Sequence, residues 1–240
     1  MEPHARRVTW LGHATVLIET GRTRLLTDPV LRDRILHLRR RVPTPAKPDS
    51  VDAVLISHLH YDHLDRPSLE GLSHLAVAPA GTSRYLPDYD VRELRAGERT
   101  TVHDAIIEAV PAWHDGRRRP GAEEHDTLGY LIDGIWFAGD TDYHPDMEAL
   151  RGRVDVALIP IWGWGPSLGP GHLDPEQAAR AVELIQPRIA IPIHWGTFLP
   201  LGLGKSHARV LSDPPLAFAA ALEGSVTRVE TIAPGGSIDL

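Results

Sequence analysis

The chain of 240 residues carries 25 Lys and Arg against 32 Asp and Glu, a formal net charge of −7, and that acid excess speaks against a dedicated nucleic-acid binder, which shows a basic one. Its apolar and charged fractions, 42% and 24%, exclude a disordered chain, and the length suffices for one well-sized core. Cysteine is absent, which excludes disulfides, thiolate ligands and thiol nucleophiles, so any metal would rest on carboxylates and on the 14 histidines.

No apolar stretch follows Met1–Arg7, so no secretory leader is expected. No run is long enough to span a bilayer, and with cysteine absent a cytoplasmic protein is expected. Val8–Leu11, Thr15–Glu19 and Leu25–Thr27 read as strands joined by tight turns at Gly12-His13 and Gly21-Arg22. Arg32–Arg41 is basic and of helix-compatible composition, and Val42–Ser50, with its prolines, is a surface loop. Val51–Ser57 is a buried-type strand. Ala76–Ala78, Ala105–Pro111, Leu128–Ile132 and Ile135–Ala138 are further strands, the last two a hairpin about Gly134. Val154–Pro160 and Ile189–Ile193 are apolar runs of parallel-strand character. Between them lies the clearest helix, Pro175–Ile185, with Asp174 as N-cap, Pro175 in the first position and Gln177 completing a capping box. A second helix is expected near Pro215–Glu223 and a last strand at Thr227–Ile232. Many strands with few, late helices suggest sheet packed on sheet, helices outside, in one domain over residues 1–240.

The chemistry concentrates where the strand Val51–Ser57 ends and releases His58, His60, Asp62 and His63. Side chains alternate along an extended strand end, so His58 and His60 share a side. Once the chain turns, Asp62 and His63 swing to a neighbouring point. One short loop thus offers imidazoles to one metal, and a carboxylate with an imidazole to another.

Ser57-His58-Leu59-His60-Tyr61-Asp62-His63 resembles the HxHxDH signature of the metallo-β-lactamase superfamily. Trp10-Leu11-Gly12-His13-Ala14-Thr15, Leu26-Thr27-Asp28-Pro29, Gly171-His172-Leu173-Asp174-Pro175-Glu176 and His194-Trp195-Gly196-Thr197-Phe198 are similar to the branch with N-acyl-phosphatidylethanolamine-hydrolysing phospholipase D and the ascorbate-phosphate lactonase. The resemblance implies an αββα sandwich of two mixed β-sheets with helices on the outer faces. It also implies a dinuclear site, in which His58, His60 and His114 hold one ion, Asp62, His63 and His194 the other, and Asp140 bridges them. Asp62, Asp140 and His194 are then the catalytic members. Zinc is the first choice of metal, with manganese or iron also acceptable to such donors. Two ions sharing a water give a hydroxide-like nucleophile near neutral pH, so the expected activity is hydrolysis of a phosphodiester, phosphoester or lactone or ester bond in a small anionic substrate.

Around the ligands, Asp28 either fixes an imidazole tautomer or forms the turn before Pro29. His13 reaches the site or serves its turn, and His172 is placed to face substrate. Arg117, Arg118 and Arg119, just after His114, hold phosphate or carboxylate or form a solvated loop. Trp162 and Trp164 are candidates to wall a substrate pocket, and Arg32–Arg41 to gate it. The alternatives on the same fold are a di-iron oxidoreductase, which commonly has Glu where His60 stands and carries a flavin domain, and an RNA-processing nuclease, which carries an RNA-clamping insertion. No nucleic acid and no stable membrane insertion are expected; homo-oligomerisation stays open.

Overall fold

A computed structural model describes residues 6–240, Lys205 and Ser206 by their backbone only; the reading of Met1–Arg7 as leaderless falls for its first five residues outside that range. Chain order begins β1 (Arg6–Gly12), β2 (Thr15–Thr20), β3 (Thr23–Thr27), β4 (Arg34–Ile35), β5 (Leu38–Arg40), β6 (Ala53–Leu55), α1 (Arg66–Leu69), β7 (Leu75–Pro79) and β8 (Asp90–Leu94). It continues through β9 (Arg99–Val102), β10 (Ala105–Pro111), β11 (Leu128–Ile132), β12 (Ile135–Phe137), β13 (Val156–Pro160), α2 (Pro175–Ile185), β14 (Ile189–Ile193), β15 (Phe198–Pro200), α3 (Asp213–Ala221), β16 (Arg228–Val229) and β17 (Ser237–Asp239).

Two seven-stranded sheets have the orders β17-β1-β2-β3-β6-β7-β8 and β9-β10-β11-β12-β13-β14-β16. Each runs antiparallel through its first three pairings and parallel through its last three. The two sheets are therefore built to one plan. Their inner faces meet in a core that includes Trp10, Val16, Leu25 and Leu55 from the first and Ile107, Phe137, Leu158 and Ile191 from the second, each large apolar side chain contributing about 1.5–3 kcal/mol on burial. Tyr130 spans the gap, its hydroxyl donating to the Ile56 carbonyl at 2.7 Å.

Helix α2 covers the outer face of the second sheet. Asp174 caps it, its carboxylate accepting from the Gln177 N–H while the Gln177 side-chain oxygen accepts from the Asp174 N–H, and Pro175 stands in the first turn. Ala178, Ala181, Val182 and Ile185 pack with Ala157 and Ile159, and α3 adds Phe218. The first sheet's outer face has no long helix. Leu59, Leu64, Leu69 and Leu86, from loops and the single turn of α1, cover Leu26, Val54 and Ile56 instead.

The structure corrects one expectation plainly. Arg32–Arg41 is no helix: β4 and β5 form a hairpin joined to β15 in a small third sheet. Burial there alternates, with Ile35 and Leu38 inside and Arg39 out, which is the period of a strand. Leu36 takes φ 46° at the turn. Arg40, 3% exposed, donates to the carbonyls of Arg32, Leu11 and Val30, and burial lowers its pKa to about 10.

Several expected strands are shorter than read, β6 being three residues of Val51–Ser57 and β16 two of Thr227–Ile232. Among the described residues no helix is long and apolar enough to cross a membrane.

Candidate metal centre

Every chemically equipped segment leaves the same end of the sandwich. His13 follows β1, Asp28 follows β3, His58–His63 follow β6, His114 follows β10, Asp140 follows β12 and His194 follows β14. Three non-glycine residues here adopt left-handed backbone, His13 at φ 54°, Asp28 at 34° and His194 at 63°, a costly conformation that persists where surrounding contacts enforce it. Glycine is required at 139, with φ 64° and a Cβ position 2.8 Å from the Leu128 carbonyl and 2.9 Å from Ser57 Cβ. The turn it makes there leads directly to Asp140.

The hydrogen bonds of the imidazoles fix which nitrogen faces inward, since a neutral ring has one donor and one lone pair. Ser57 gives its hydroxyl proton to Asp28 Oδ2 at 2.6 Å and accepts from His58 Nδ1 at 2.9 Å. His63 Nδ1 donates to Asp28 Oδ2 at 2.7 Å. His114 Nδ1 donates to the Gly171 carbonyl at 2.7 Å, and His194 Nδ1 to the Trp162 carbonyl at 2.9 Å. Four rings thus present Nε2 inward. His60 presents Nδ1 instead, 2.9 Å from His58 Nε2 and 3.1 Å from His114 Nε2.

These three nitrogens form the first cluster. The loop then turns, with the N–H groups of His63 and Leu64 both on the His60 carbonyl, and a second cluster forms from Asp62, His63 and His194, where His63 and His194 Nε2 lie 3.2 Å apart. Asp140 places Oδ2 3.1 Å from His63 Nε2 and Oδ1 3.1 Å from His194 Nε2. Its Oδ1 is buried with no hydrogen-bond donor among the described residues.

That arrangement fits metal. Lone pairs facing one another at about 3 Å repel unless a cation lies among them, and tetrahedral zinc with Zn–N bonds of about 2.0–2.1 Å sets its donors at such separations. Burial holds His58 well below the ordinary imidazole pKa, lowers His60, and brings His114 to about 4 and His194 to about 3. These rings stay neutral, as ligands must. Burial alone would lower His63 too, but Asp140, Asp28 and Asp62 outweigh it and lift it well above 6.5. Burial would raise Asp62 and Asp140, yet His63 beside the first and His194 and His63 beside the second hold both well below the usual carboxylate value. Asp28 is raised by burial. It accepts the Ser57 N–H at 2.7 Å as well, and so orients His58 through Ser57 and His63 directly.

The clusters floor a cavity of about 640 Å³, lined by His60, Asp62 and Asp140 below and by Leu36, Trp164 and Arg119 above. His172 also lines it, its Nε2 3.6 Å from Asp140 Oδ2. The three arginines part company. Arg117 pairs with Asp115 and Glu124. Arg118 donates to the Leu59 carbonyl and lies over the Tyr61 ring at 4.2 Å, so it braces the ligand loop. Arg119 is exposed and lines the cavity, as do parts of Arg117 and Arg118. Trp164 is a wall, edge-on to His37 at 5.3 Å. Trp162 is not; it borders a separate cavity with Asp174 and Arg209 and contributes its carbonyl to His194. Ser57, Gly171 and Tyr61 were not singled out from sequence. Only the position of Ser57 beside His58 could have flagged it, since Gly171 acts through its backbone and Tyr61 through Arg118.

A beta-lactamase superfamily domain family matches residues 23–195. A UPF0173 metal-dependent hydrolase of Methanopyrus kandleri is 36% identical over 220 residues, covering 81% of this chain and 86% of its own length. The N-acyl-phosphatidylethanolamine-hydrolyzing phospholipase D 1 of Caenorhabditis elegans is 32% identical over 234 residues, 81% of this chain and 64% of its own. Among solved structures, Igni18, a metallo hydrolase of Ignicoccus hospitalis, is similar with a TM-score of 0.71 at 20% identity over 98% of each chain, an agreement of fold.

Proposed function

Starting from a chain that belongs to the metallo-β-lactamase superfamily and is a metal-dependent hydrolase, we propose that it holds two divalent ions, zinc for preference, and cleaves a phosphodiester, phosphoester or lactone bond in a small anionic substrate. The observation that carries the reading is the inward convergence of five imidazole nitrogens on two points with Asp140 against the second of them. His58, His60 and His114 would hold one ion, Asp62, His63 and His194 the other, with Asp140 shared; His114, Asp140 and His172 also lie within ligating distance of one another. Ions held there supply an activated water and neutralise charge on the bond under attack.

The residues do the rest. Asp28 and Ser57 hold two rings in the ligating tautomer. Leu36 and Trp164 shield one side of the cavity from water, and Arg119 offers a guanidinium to an anionic group on the other. His172 faces the substrate above Asp140. Phosphodiester cleavage is favoured by the likeness to a phospholipase D, and the lack of cysteine favours the cytoplasm.

The test is elemental analysis of reconstituted protein, followed by a panel of phosphodiesters, phosphomonoesters and lactones. Two ions per chain and turnover of one class are expected. One ion or none defeats the dinuclear reading, and iron with oxygen uptake on turnover would mark a di-iron oxidoreductase. On the substrate that turns over, Arg119→Gln should raise KM several-fold with metal content unchanged.

A further inference from the structure

His13 stands outside both ligand triads, yet it is fully buried and lies between two of their members. Its Nε2 is 3.0 Å from Asp62 Oδ2. A carboxylate can only accept, so at this contact the ring carries its proton on Nε2 and donates. The same ring lies over that of His194, centroids 3.8 Å apart, with the Phe198 ring edge-on at 5.3 Å. The backbone is fixed too. The His13 amide donates to Thr197 Oγ1 at 2.7 Å, and its carbonyl accepts from the His194 amide at 2.9 Å and from Trp10 Nε1 at 2.8 Å.

A left-handed turn alone would be served by Gly or Asn, and neither would reach Asp62. Burying an imidazole leaves His13 Nδ1 without a hydrogen-bond partner among the described residues, a destabilising state that a purely structural turn residue would not incur. Four donor-bearing residues, His13, Asp62, His63 and His194, converge within 4.8 Å. A further protein ligand beside Asp62, His63, His194 and the shared Asp140 would close the coordination that a catalytic ion keeps open, and His13 Nε2 is already committed to the carboxylate.

We infer that His13 is a positioning residue for the second ion, holding the Asp62 carboxylate by its Nε2–H and the His194 ring by its face. The inference rests on the dinuclear reading above. It makes the β1–β2 turn, 49 residues from Asp62 in sequence, part of the metal site.

Cobalt(II) titration of metal-free protein, read by its ligand-field absorption and by competition with a chelator, tests it with two variants. His13→Asn keeps the left-handed backbone but stops short of Asp62. His13→Gln places an amide N–H near the old Nε2. In His13→Asn the second cobalt should bind about 10–100-fold more weakly, the range for loss of a residue that supports a ligand, while the first is little changed and the second-site spectrum shifts. His13→Gln should recover much of that affinity. If the parent takes two ions and His13→Asn binds both as tightly, the inference is wrong and the dinuclear reading stands. If both variants lose affinity equally, the ring matters as packing and the hydrogen-bond role is wrong. A parent that takes fewer than two ions overturns the dinuclear reading and the inference with it.

Discussion

The two donor clusters differ in charge and in shelter. The first, His58, His60 and His114, is all imidazole, and His60 and His114 are only partly buried beside the cavity. The second contains a carboxylate of its own, with His63 and His194 at 0% and 1% exposure, and each of its members has a dedicated support: Asp28 for His63, His13 for Asp62 and the Trp162 carbonyl for His194. The second point thus holds a negative charge of its own before any ion arrives, whereas the first has only ring supports, Ser57 for His58 and the Gly171 carbonyl for His114. The first depends on Asp140 for its only negative charge. The difference suggests a division of labour, a rigid anchor and a more open site facing substrate.

Breaking the shared charge should have the largest effect. Asp140→Asn preserves shape and removes the carboxylate, so at least one ion and most hydrolytic activity should be lost, the all-imidazole cluster emptying first. Elemental analysis with kcat/KM on the best substrate checks it; a variant that keeps both ions and full activity would show that Asp140 plays no part.

A smaller, one-sided effect should separate the clusters. Asp62→Ala should weaken the second ion more than the first, and His60→Ala the reverse, each beyond the about 10–100-fold cost of losing a mere supporting partner. Stepwise zinc titration reads the two constants, and identical patterns in the two variants would dissolve the distinction.

The smallest effect is on the pH dependence of the metal-free protein. His58, His60 and His114 have folded pKa values below 6.5, so as pH falls from about 6.5 toward 4 the unfolded chain gains protons that these folded rings refuse, and stability falls. In the second cluster His194 behaves likewise. His63 has the opposite sign. Its raised pKa stabilises the fold below 6.5, and that contribution is lost as pH rises through the folded value. The second cluster therefore offsets itself and the first does not. Chelated protein should melt lower at pH 5 than at pH 7, and His60→Ala should flatten that slope; a Tm that climbs on acidification would mean His63 dominates.

Much of this was legible in sequence where the signal is local. The capping box at Asp174, the hairpin at Gly134 and the four donors after β6 each lie within a few residues and obey one rule apiece. The remaining ligands are single residues at strand ends, visible only through resemblance, because nothing near His114 or His194 states what they will meet. Arg32–Arg41 misled because its charges suggested a solvated helix, whereas Arg40 is spent on three backbone carbonyls inside. The basic triplet could be read only as a group, since sequence cannot say that Arg117 will pair with Asp115 and Glu124 while Arg118 turns to the Leu59 carbonyl. The strands Asp90–Leu94 and Arg99–Val102 are largely polar and lie at or near the far edges of their sheets, so no apolar alternation announced them.

The matched plan of the two sheets gives the site a mechanical meaning. Each cluster draws two members from the loop after β6 in the first sheet and one from a strand end in the second, with Asp140 added from the second. Asp28 and Asp140 follow corresponding strands, β3 and β12, one holding ligands in place and the other offered as a ligand. An ion gripped from both sides would act as a rivet between the two sheets at that end of the sandwich. Loading the site should then stiffen strand ends on both sheets at once, and stripping it should loosen them together.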